Sequence, residues 1–205
     1  MIAPVLDLEL YGGKRAYVAH LRACASYAIG SYRAARSIHW DVIERLVFIC
    51  QGNICRSPYA GARARALGVS AISLGIEAND GAPANEDAAR NALRRGVDLK
   101  EHQSTRLRTS LTEPGDLIVV FEPVHLLRVT PHIEAGAAGL TLLGLWAHPV
   151  RPHIQDPYGR SDRYFQECFS AIDLNIHELV ARMAAHRAPA VSGGPVARSS
   201  VQLVR

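Results

Sequence analysis

Cys50 and Arg56 are separated by five residues, a spacing typical of a nucleophile and the cation that binds its anionic substrate. A thiolate is a strong nucleophile. An arginine guanidinium carries a planar fork of donors that fits two oxygens of a phosphate at once. Residues 51–55 (QGNIC) lie between the two, and Ser57 and Pro58 follow directly. The pair therefore indicates nucleophilic attack on a bound oxyanion such as a phosphate.

The segments on either side of this loop are suited to hold an anion. The apolar run 46–49 predicts a buried strand that ends at Cys50, and the alanine-rich run 58–67 predicts a helix. Pro58 suits the first turn of a helix because no N–H is needed there. In such a loop successive backbone N–H groups converge and the positive end of the helix dipole points inward. This placement favours the thiolate form of Cys50.

Beyond the loop, short apolar segments alternate with helical ones. The pattern predicts strands at 46–49, 70–74, 117–121 and 140–145, and helices at 58–67, 86–95, 123–129 and 161–185. Asn85 is expected to cap the second helix and Gly96 to end it. Such alternation is typical of a parallel sheet with right-handed crossovers. We therefore predict an α/β fold with an open doubly wound four-stranded parallel sheet and helices on both faces, which binds ligands at the carboxyl ends of its strands.

Length, charge and cysteine content narrow the class. The 205 residues suffice for one domain with extra segments, and its core needs neither disulfides nor metals. A formal net charge of +4 suits an anionic substrate but is too small and too dispersed to predict nucleic-acid binding. The four cysteines do not form the disulfide framework of a secreted protein. The nine histidines lack metal-ligand spacing, so we expect no metal and no cofactor.

The string CQGNICRSP resembles the low-molecular-weight protein tyrosine phosphatase family and its arsenate-reductase relatives. A bare C-x5-R would fit a buried cysteine near an unrelated surface arginine, but the flanking apolar strand and GNxCRSP make the likeness specific. The likeness covers about residues 45–187, including HQSTRL at 102–107, the strand at 117–121, Glu122 and His125. It implies the flavodoxin-like form of the fold and a bacterial hydrolase.

Asp156 is the candidate acid, since a leaving oxygen must be protonated when a thiolate attacks phosphorus. It lies in the sequence DPYG at 156–159, which in isolation indicates only a surface turn. The resembling phosphatases have their Asp-Pro acid loop at this place, just before the last helix. Tyr158 is then expected to line the pocket and stack on an aromatic leaving group. The alternative is a turn tyrosine packed on the surface.

The resemblance implies a two-step mechanism through a phosphocysteine. Cys50 attacks phosphorus, Arg56 and the loop amides bind the oxygens, and Asp156 first protonates the leaving phenolate and then activates water. Ser57 is expected to hydrogen-bond the Cys50 sulfur. Asn53, which tolerates left-handed backbone, is expected to hold the loop shape. The predicted substrate-binding residues are Gln51, Gly52, Asn53, Ile54, Cys55, Ser57 and Tyr158.

Three other functions compete with phosphotyrosine hydrolysis. An arsenate reductase needs resolving cysteines, and no cysteine lies between Cys55 and Cys168. A protein arginine phosphatase carries threonine where this chain has Ile54, and the apolar side chain favours phosphotyrosine. A non-catalytic phosphopeptide-binding module would not need Asp156. The loop 75–85 also lacks the aromatic residue that many relatives supply, which leaves the preferred substrate open.

Two cysteines outside the nucleophile position have different expected roles. Cys55 shares the loop with Cys50, and a reversible disulfide between them would protect the nucleophile from peroxide. The alternative for Cys55 is a small buried residue. Cys168 falls on the apolar face of the last helix, where core packing is expected.

By family resemblance, the partner is a phosphotyrosine protein such as an autophosphorylating bacterial tyrosine kinase of polysaccharide export.

Three segments are expected along the chain. Residues 1–44 form an N-terminal extension with a helix over 14–36, 45–187 the phosphatase domain, and 188–205 a flexible tail. The extension helix is expected to pack on the domain or on a second copy, and the alternatives are a partly disordered leader or an amphipathic helix for a membrane surface or partner. No transmembrane segment and no signal peptide are recognisable, so we expect a cytoplasmic protein.

Overall fold

The computed structural model describes residues 7–133 and 135–187. Its centre is a parallel sheet in the order β2-β1-β3-β4. The strands are β1 (Arg45–Cys50), β2 (Ala71–Gly75), β3 (Asp116–Val120) and β4 (Gly139–Leu142). The chain leaves β1 toward β2 on one side and later returns to β3 on the other, so the switch point lies between β1 and β3. The predicted open doubly wound α/β sheet is confirmed.

Among the described residues, five α-helices accompany the sheet, and several short 3₁₀ turns join the elements. The α-helices are α1 (Lys14–Ala28), α2 (Arg56–Ala66), α3 (Glu86–Leu93), α4 (Pro123–Val129) and α5 (Asp162–Arg187). Asn85 caps α3 as predicted, because its side-chain oxygen accepts a hydrogen bond from the N–H of Ala88 at 3.1 Å. Gly96, in left-handed backbone with φ of 74°, follows the helix end.

Two element boundaries differ from the prediction by three residues or more. The helix expected over 14–36 ends at Ala28, because Gly30 adopts a left-handed backbone with φ of 81°. The last strand ends at Leu142 instead of continuing to residue 145. There the chain tightens into a 3₁₀ turn (Leu143–Leu145), in which Gly144 lies directly against the backbone of Arg151. A side chain at position 144 would collide with that backbone.

The core lies on both sides of the sheet. Consecutive residues of β1 and β3 are buried, which requires both faces to be covered. On one face α2 packs on α5 through the stacked rings of Tyr59 and Phe169, whose centroids are 3.9 Å apart. The Tyr59 hydroxyl also contacts the carboxylate of Asp173 at 2.9 Å. These contacts fix α2, the helix that follows the Cys50 loop.

The described part of the N-terminal segment packs against the sheet domain. Arg163 of α5 pairs with Asp7 and Glu9 at 2.5 and 3.2 Å. The buried side of α1 consists of small residues, Ala16 and Ala23, whereas the larger Leu21 is exposed. Small side chains let the helix approach closely, which the apolar pattern alone did not reveal.

Within residues 7–133 and 135–187, no helix is both long and apolar enough to span a membrane. The tail predicted at 188–205 lies outside the described residues.

Candidate active site

The loop from Cys50 to Cys55 joins β1 to α2, and the segment after β2 holds it in place. Cys50 is the last residue of β1 and pairs in register with Gly75 of β2. The backbone N–H groups of Ile76 and Asn85 donate to the carbonyls of Cys50 and Ile54, both at 2.9 Å. Helix α2 begins at Arg56, two residues earlier than predicted. The arginine thus lies in the first turn of the helix that follows the loop.

Asn53 braces the loop from inside. It is fully buried and adopts the left-handed backbone expected for it, with φ of 53°. Its side-chain N–H group donates to the hydroxyls of Ser57 at 2.8 Å and Ser73 at 3.0 Å. Its side-chain oxygen accepts from the N–H of Thr105 at 2.8 Å. The Asn53 carbonyl also contacts Nε2 of His102 at 2.7 Å. The amide therefore ties the loop to three neighbouring segments.

Ser57 contacts the sulfur of Cys50 with its hydroxyl oxygen at 3.1 Å. The same oxygen accepts from Asn53 and lies 3.1 Å from the carbonyl of Leu74. A serine hydroxyl has one hydrogen, which goes either to this carbonyl or to the sulfur. When Cys50 is a thiolate, the charge-assisted bond to sulfur is the stronger choice.

Arg56 is fully buried and surrounded by acceptors. Its Nη1 donates to Glu122 Oε1 at 2.5 Å and to the carbonyl of Ile154 at 2.9 Å. Its Nη2 forms an ion pair with Asp156 Oδ2 at 2.8 Å, but neither Nη2 nor Nε has a hydrogen-bond partner in the described part of the chain. Burial opposes the charge, but Asp156 and Glu122 outweigh it and raise the pKa of Arg56 above its already high ordinary value. The guanidinium therefore stays charged.

Glu122 follows β3 and is the residue whose role sequence reasoning missed. Burial opposes its ionisation, but the hydrogen bond with His153 and the charge of Arg56 prevail and lower the pKa of Glu122 to about 2. His153 Nε2 lies 3.3 Å from Glu122 Oε2. His125 Nε2 lies 3.8 Å from Glu122 Oε1. The pKa of His125 is lowered to about 4, first by burial and second by the positive charge of Arg56. Glu122 lies at the carboxyl end of β3, beside β1 at the switch point, and this position was the signal from which its role could have been predicted.

A cavity of about 210 Å³, the catalytic cavity, brings most of the predicted residues together. It is lined by Cys50, Gln51, Gly52, Ile54, Cys55, Asp156 and Tyr158. Asn53, Ser57 and Arg56 lie behind this surface. Tyr158 is 61% exposed at the rim, and its N–H donates to Asp156 Oδ1 at 3.2 Å. The nucleophile candidate and the acid candidate thus share one cavity.

The remaining candidates take up separate positions. The Gln51 side chain turns to the rim, where it donates to Glu77 at 2.6 Å and accepts from Arg128 at 2.7 Å. Cys55 is buried and free, and its burial followed by the charge of Asp156 raises the pKa of its thiol. Cys168 is fully buried within the core, where it was predicted.

A free thiol, a buried guanidinium and a carboxylate at the end of a parallel sheet are the groups that cysteine-dependent phosphatase chemistry requires. The family model described as low molecular weight phosphotyrosine protein phosphatase matches residues 45–188. This chain therefore belongs to that family.

Relatives with known sequences and structures agree with this membership. The chain is 33% identical over 146 residues to a probable low molecular weight protein-tyrosine-phosphatase EpsP of Ralstonia nicotianae, covering 70% of this chain and 99% of the relative. It is 32% identical over 142 residues to Etp of Escherichia coli K12, covering 68% and 94%. The crystal structure of the Erwinia amylovora tyrosine phosphatase AmsI superposes with a TM-score of 0.63 at 28% identity, covering 68% and 92%. A YwlE arginine phosphatase structure shares the fold at 21% identity, with a TM-score of 0.64 over 70% of this chain and 97% of that one.

Proposed function

We propose that this chain hydrolyses phosphotyrosine on proteins through a phosphocysteine intermediate. One observation carries the proposal: Cys50 and Asp156 line a single cavity, and the guanidinium of Arg56 lies 2.8 Å from Asp156. Membership of the family supports the same activity. A nucleophile, an anion-binding cation and an acid are the three groups that the reaction needs.

In the first step, the Cys50 thiolate attacks phosphorus and the bond to the phenolic oxygen breaks. The electron pair of that bond leaves on the oxygen, and protonated Asp156 supplies the proton. Arg56 and the backbone N–H groups of the loop bind the equatorial oxygens, whose charge must be stabilised throughout. Ser57 donates to the sulfur and stabilises the thiolate.

In the second step, Asp156 is a carboxylate and takes a proton from water. That water attacks the phosphocysteine, the S–P bond breaks, and the electron pair returns to the Cys50 sulfur. The hydroxyl of Ser57, 3.1 Å from the sulfur, stabilises the departing thiolate. Phosphate is released, and Asp156 is again protonated.

Asp156 and a bound phosphate compete for one guanidinium. Asp156 contacts Nη2 of Arg56 at 2.8 Å, while Glu122 and the Ile154 carbonyl share Nη1. A phosphate that binds Arg56 therefore displaces Asp156, which frees this carboxyl to reach the leaving oxygen. Replacement of Asp156 by alanine removes the competing anion, so phosphate binding is retained while turnover falls.

The preferred substrate is an aromatic phosphate. Ile54 presents an apolar side chain to the catalytic cavity and Tyr158 stands at its rim. Both surfaces suit a phenyl ring better than a guanidinium.

As a physiological partner we propose an autophosphorylating tyrosine kinase, and as the location of this chain we propose the cytoplasm. The roles of residues 1–44, 45–187 and 188–205 as extension, catalytic domain and tail are part of the same proposal.

The test is hydrolysis of p-nitrophenyl phosphate, a phosphotyrosine peptide and phosphoarginine by purified variants. Cys50→Ser is expected to abolish turnover, and Cys24→Ser on α1 is the matched control with unchanged turnover. Arg56→Ala is expected to weaken phosphate binding. Loss of the general acid in Asp156→Ala is expected to slow hydrolysis about 100- to 10,000-fold.

The substrate comparison distinguishes the competing functions. Faster hydrolysis of both aromatic esters than of phosphoarginine supports the phosphotyrosine proposal. A preference for phosphoarginine would assign the chain to arginine phosphatases. Binding of the phosphopeptide without turnover by the reduced, folded wild type would indicate a binding module instead.

A further inference from the structure

Residues 7–13, which precede α1, contact both ends of the acid loop, the segment 156–160 that begins with Asp156. Directly after this loop, the hydroxyl of Ser161 donates to Glu9 Oε1 at 2.5 Å. Directly before it, Gln155 lies so close to Gly12 that an added Cβ atom would be 3.2 Å from its side chain. The match to the phosphatase family begins at residue 45. The acid loop is therefore held in part by residues outside the matched domain.

Gly12 packs on a buried aromatic ring beside the loop. A Cβ atom on Gly12 would lie 3.0 Å from the ring of Tyr164, which is only 1% exposed. The hydroxyl of Tyr164 donates to the carbonyl of Gln155 at 3.2 Å. A displacement of Gly12 would therefore disturb Gln155, the residue that directly precedes Asp156.

Two arginines anchor the segment 7–13 on either side of the acid loop. Arg151, which precedes the loop, donates from Nη2 to the carbonyl of Leu10 at 2.8 Å. Arg163, which follows it, forms ion pairs with the two acidic residues of the segment. Because exposed ion pairs stabilise little, the packing of Gly12 is the more decisive contact.

The middle of the acid loop has space beside it. A cavity of about 360 Å³ lies between Glu9 and Gly12 of the segment and Gly159 and Arg160 of the loop. The segment thus contacts the two ends of the loop and leaves room next to its middle. This suits a carboxylate that must leave Arg56 and reach the leaving oxygen while the loop ends stay in place.

We propose that residues 7–13 position the acid loop, so that Asp156 is aligned with the leaving oxygen of the substrate. None of these residues lines the catalytic cavity, so they act through Asp156 and not on the substrate. The inference rests on the proposed phosphatase function and assigns a role in it to the N-terminal segment.

The test compares phenyl phosphate with p-nitrophenyl phosphate, because phenolate is the more basic leaving group and depends more on the acid. In Gly12→Ala, kcat/KM for phenyl phosphate is expected to fall about tenfold relative to kcat/KM for p-nitrophenyl phosphate, since a small misplacement of a catalytic group suffices for such a loss. Glu9→Ala is expected to lower this ratio by a smaller factor. A general loss of stability or of phosphate binding lowers both values equally and leaves the ratio unchanged.

Gly30→Ala is the matched control. Gly12 and Gly30 have nearly the same left-handed backbone, with φ of 83° and 81°, but a Cβ on Gly30 would meet only the flexible side chain of Arg33. Its ratio is expected to equal that of the wild type. In an Asp156→Ala background, Gly12→Ala is expected to change the ratio no further, because the acid through which it acts is absent.

Hydrogen exchange reports on the loop without any turnover. The backbone N–H groups of residues 156–161 are expected to exchange faster in Gly12→Ala than in the wild type or Gly30→Ala. An unchanged ratio in both Gly12→Ala and Glu9→Ala, a fall that persists without Asp156, or equal exchange in all three proteins would overturn the proposal. If the wild type hydrolysed neither ester, the proposed activity would be wrong, and the exchange rates would still decide whether residues 7–13 hold the loop.

Discussion

At the scale of single residues, Arg56 is hydrogen-bonded within the described residues through one of its three nitrogens. Glu122 and the Ile154 carbonyl accept from Nη1, whereas Asp156 forms an ion pair at Nη2 without a hydrogen bond. Only the contact with Asp156 must break for that carboxyl to act as an acid. Glu122 therefore orients the guanidinium throughout the reaction, whereas Asp156 alternates between the arginine and the substrate.

Glu122→Gln tests this orienting role. The amide keeps the shape but loses the charge that pairs with Arg56 at 2.5 Å. Charge-assisted hydrogen bonds contribute about 1.5–3 kcal/mol, so kcat/KM for p-nitrophenyl phosphate is expected to fall about ten- to hundredfold. Unchanged kcat/KM in the folded variant would contradict the role. Glu178→Gln, at an exposed position of α5, is the control.

The same variant reports on pH-dependent stability. The pKa of Glu122 is lowered from 4.5 to about 2 in the fold. Its stabilising contribution is therefore fully present above pH 4.5 and is lost as the pH falls toward about 2. The Tm difference between wild type and Glu122→Gln is expected to narrow over this interval.

Cys55→Ala tests whether Cys55 protects the nucleophile. Peroxide oxidises the Cys50 thiolate to a sulfenic acid, and attack by the Cys55 sulfur then releases water and forms a disulfide. Both cysteines line the catalytic cavity, and the pKa of Cys55 is raised by burial, so Cys50 is oxidised first. In Cys55→Ala a second peroxide molecule oxidises the sulfenic acid to a sulfinic acid, which thiols do not reduce. After excess peroxide, thiol treatment is therefore expected to restore wild type and Cys168→Ala, but not Cys55→Ala. Equal recovery of all three proteins would remove the protective role.

The sequence predicted the residues of the motif and Asn53 and Ser57, which hold the loop, but not the residues that orient Arg56. Cys50, Arg56 and Asp156 belong to short strings with recognisable spacing. Glu122 and His153 come from two distant loops, one after β3 and one after β4, and these two strands are neighbours in the sheet. Their contact depends on a strand order that no local pattern encodes.

At the scale of elements, the loop after β1 depends on the close approach of β2. A Cβ atom on Gly75 would lie 2.8 Å from the backbone nitrogen of Asn53. Gly75→Ala is therefore expected to push Asn53 and its loop aside, lowering kcat/KM and destabilising the fold by about 1–3 kcal/mol. Kinetics with p-nitrophenyl phosphate and thermal unfolding measure the two effects.

Gly61→Ala in α2 is the matched control for this substitution. Its new Cβ would meet Nη1 of Arg65 at 3.3 Å, the end of a flexible side chain. Alanine also favours a helix interior over glycine by about 1 kcal/mol. Wild-type activity and an equal or higher Tm are expected. If Gly75→Ala behaved in the same way, the loop would not depend on that approach.

The elements of the sheet domain could be predicted because their signals are local. Apolar runs bounded by turn residues located all four strands, and Asn85 marked the start of α3. The end of β4 and the packing side of α1 could not be predicted in this way. The end of β4 follows from the contact between Gly144 and the backbone of Arg151. The packing side of α1 follows from the burial of small alanines against residues that are distant in the sequence.

At the scale of the whole molecule, residues 34–44 are part of the folded body. Ala35 and Ile43 are buried in the core, and Trp40 packs edge-on against Trp146 with centroids 5.0 Å apart. The N–H of Glu44 donates to the carbonyl of Gly115 at 2.9 Å, and that of His39 to Ala138 at 3.0 Å. Helix α1, in contrast, buries chiefly small side chains.

Two truncations test this division. Removal of residues 1–29 eliminates α1 but keeps Cys50, Arg56 and Asp156 in place, so turnover of p-nitrophenyl phosphate is expected to persist with a lowered Tm. Removal of residues 1–44 also removes the buried Ile43 and the half-buried Trp40, and full burial of an apolar side chain such as isoleucine contributes about 1.5–3 kcal/mol. The Tm of this shorter protein is therefore expected to fall well below that of the first truncation. Equal Tm values for the two truncated proteins would show that residues 30–44 do not stabilise the fold. Loss of turnover in a folded protein of residues 30–205 would show that α1 is needed for catalysis.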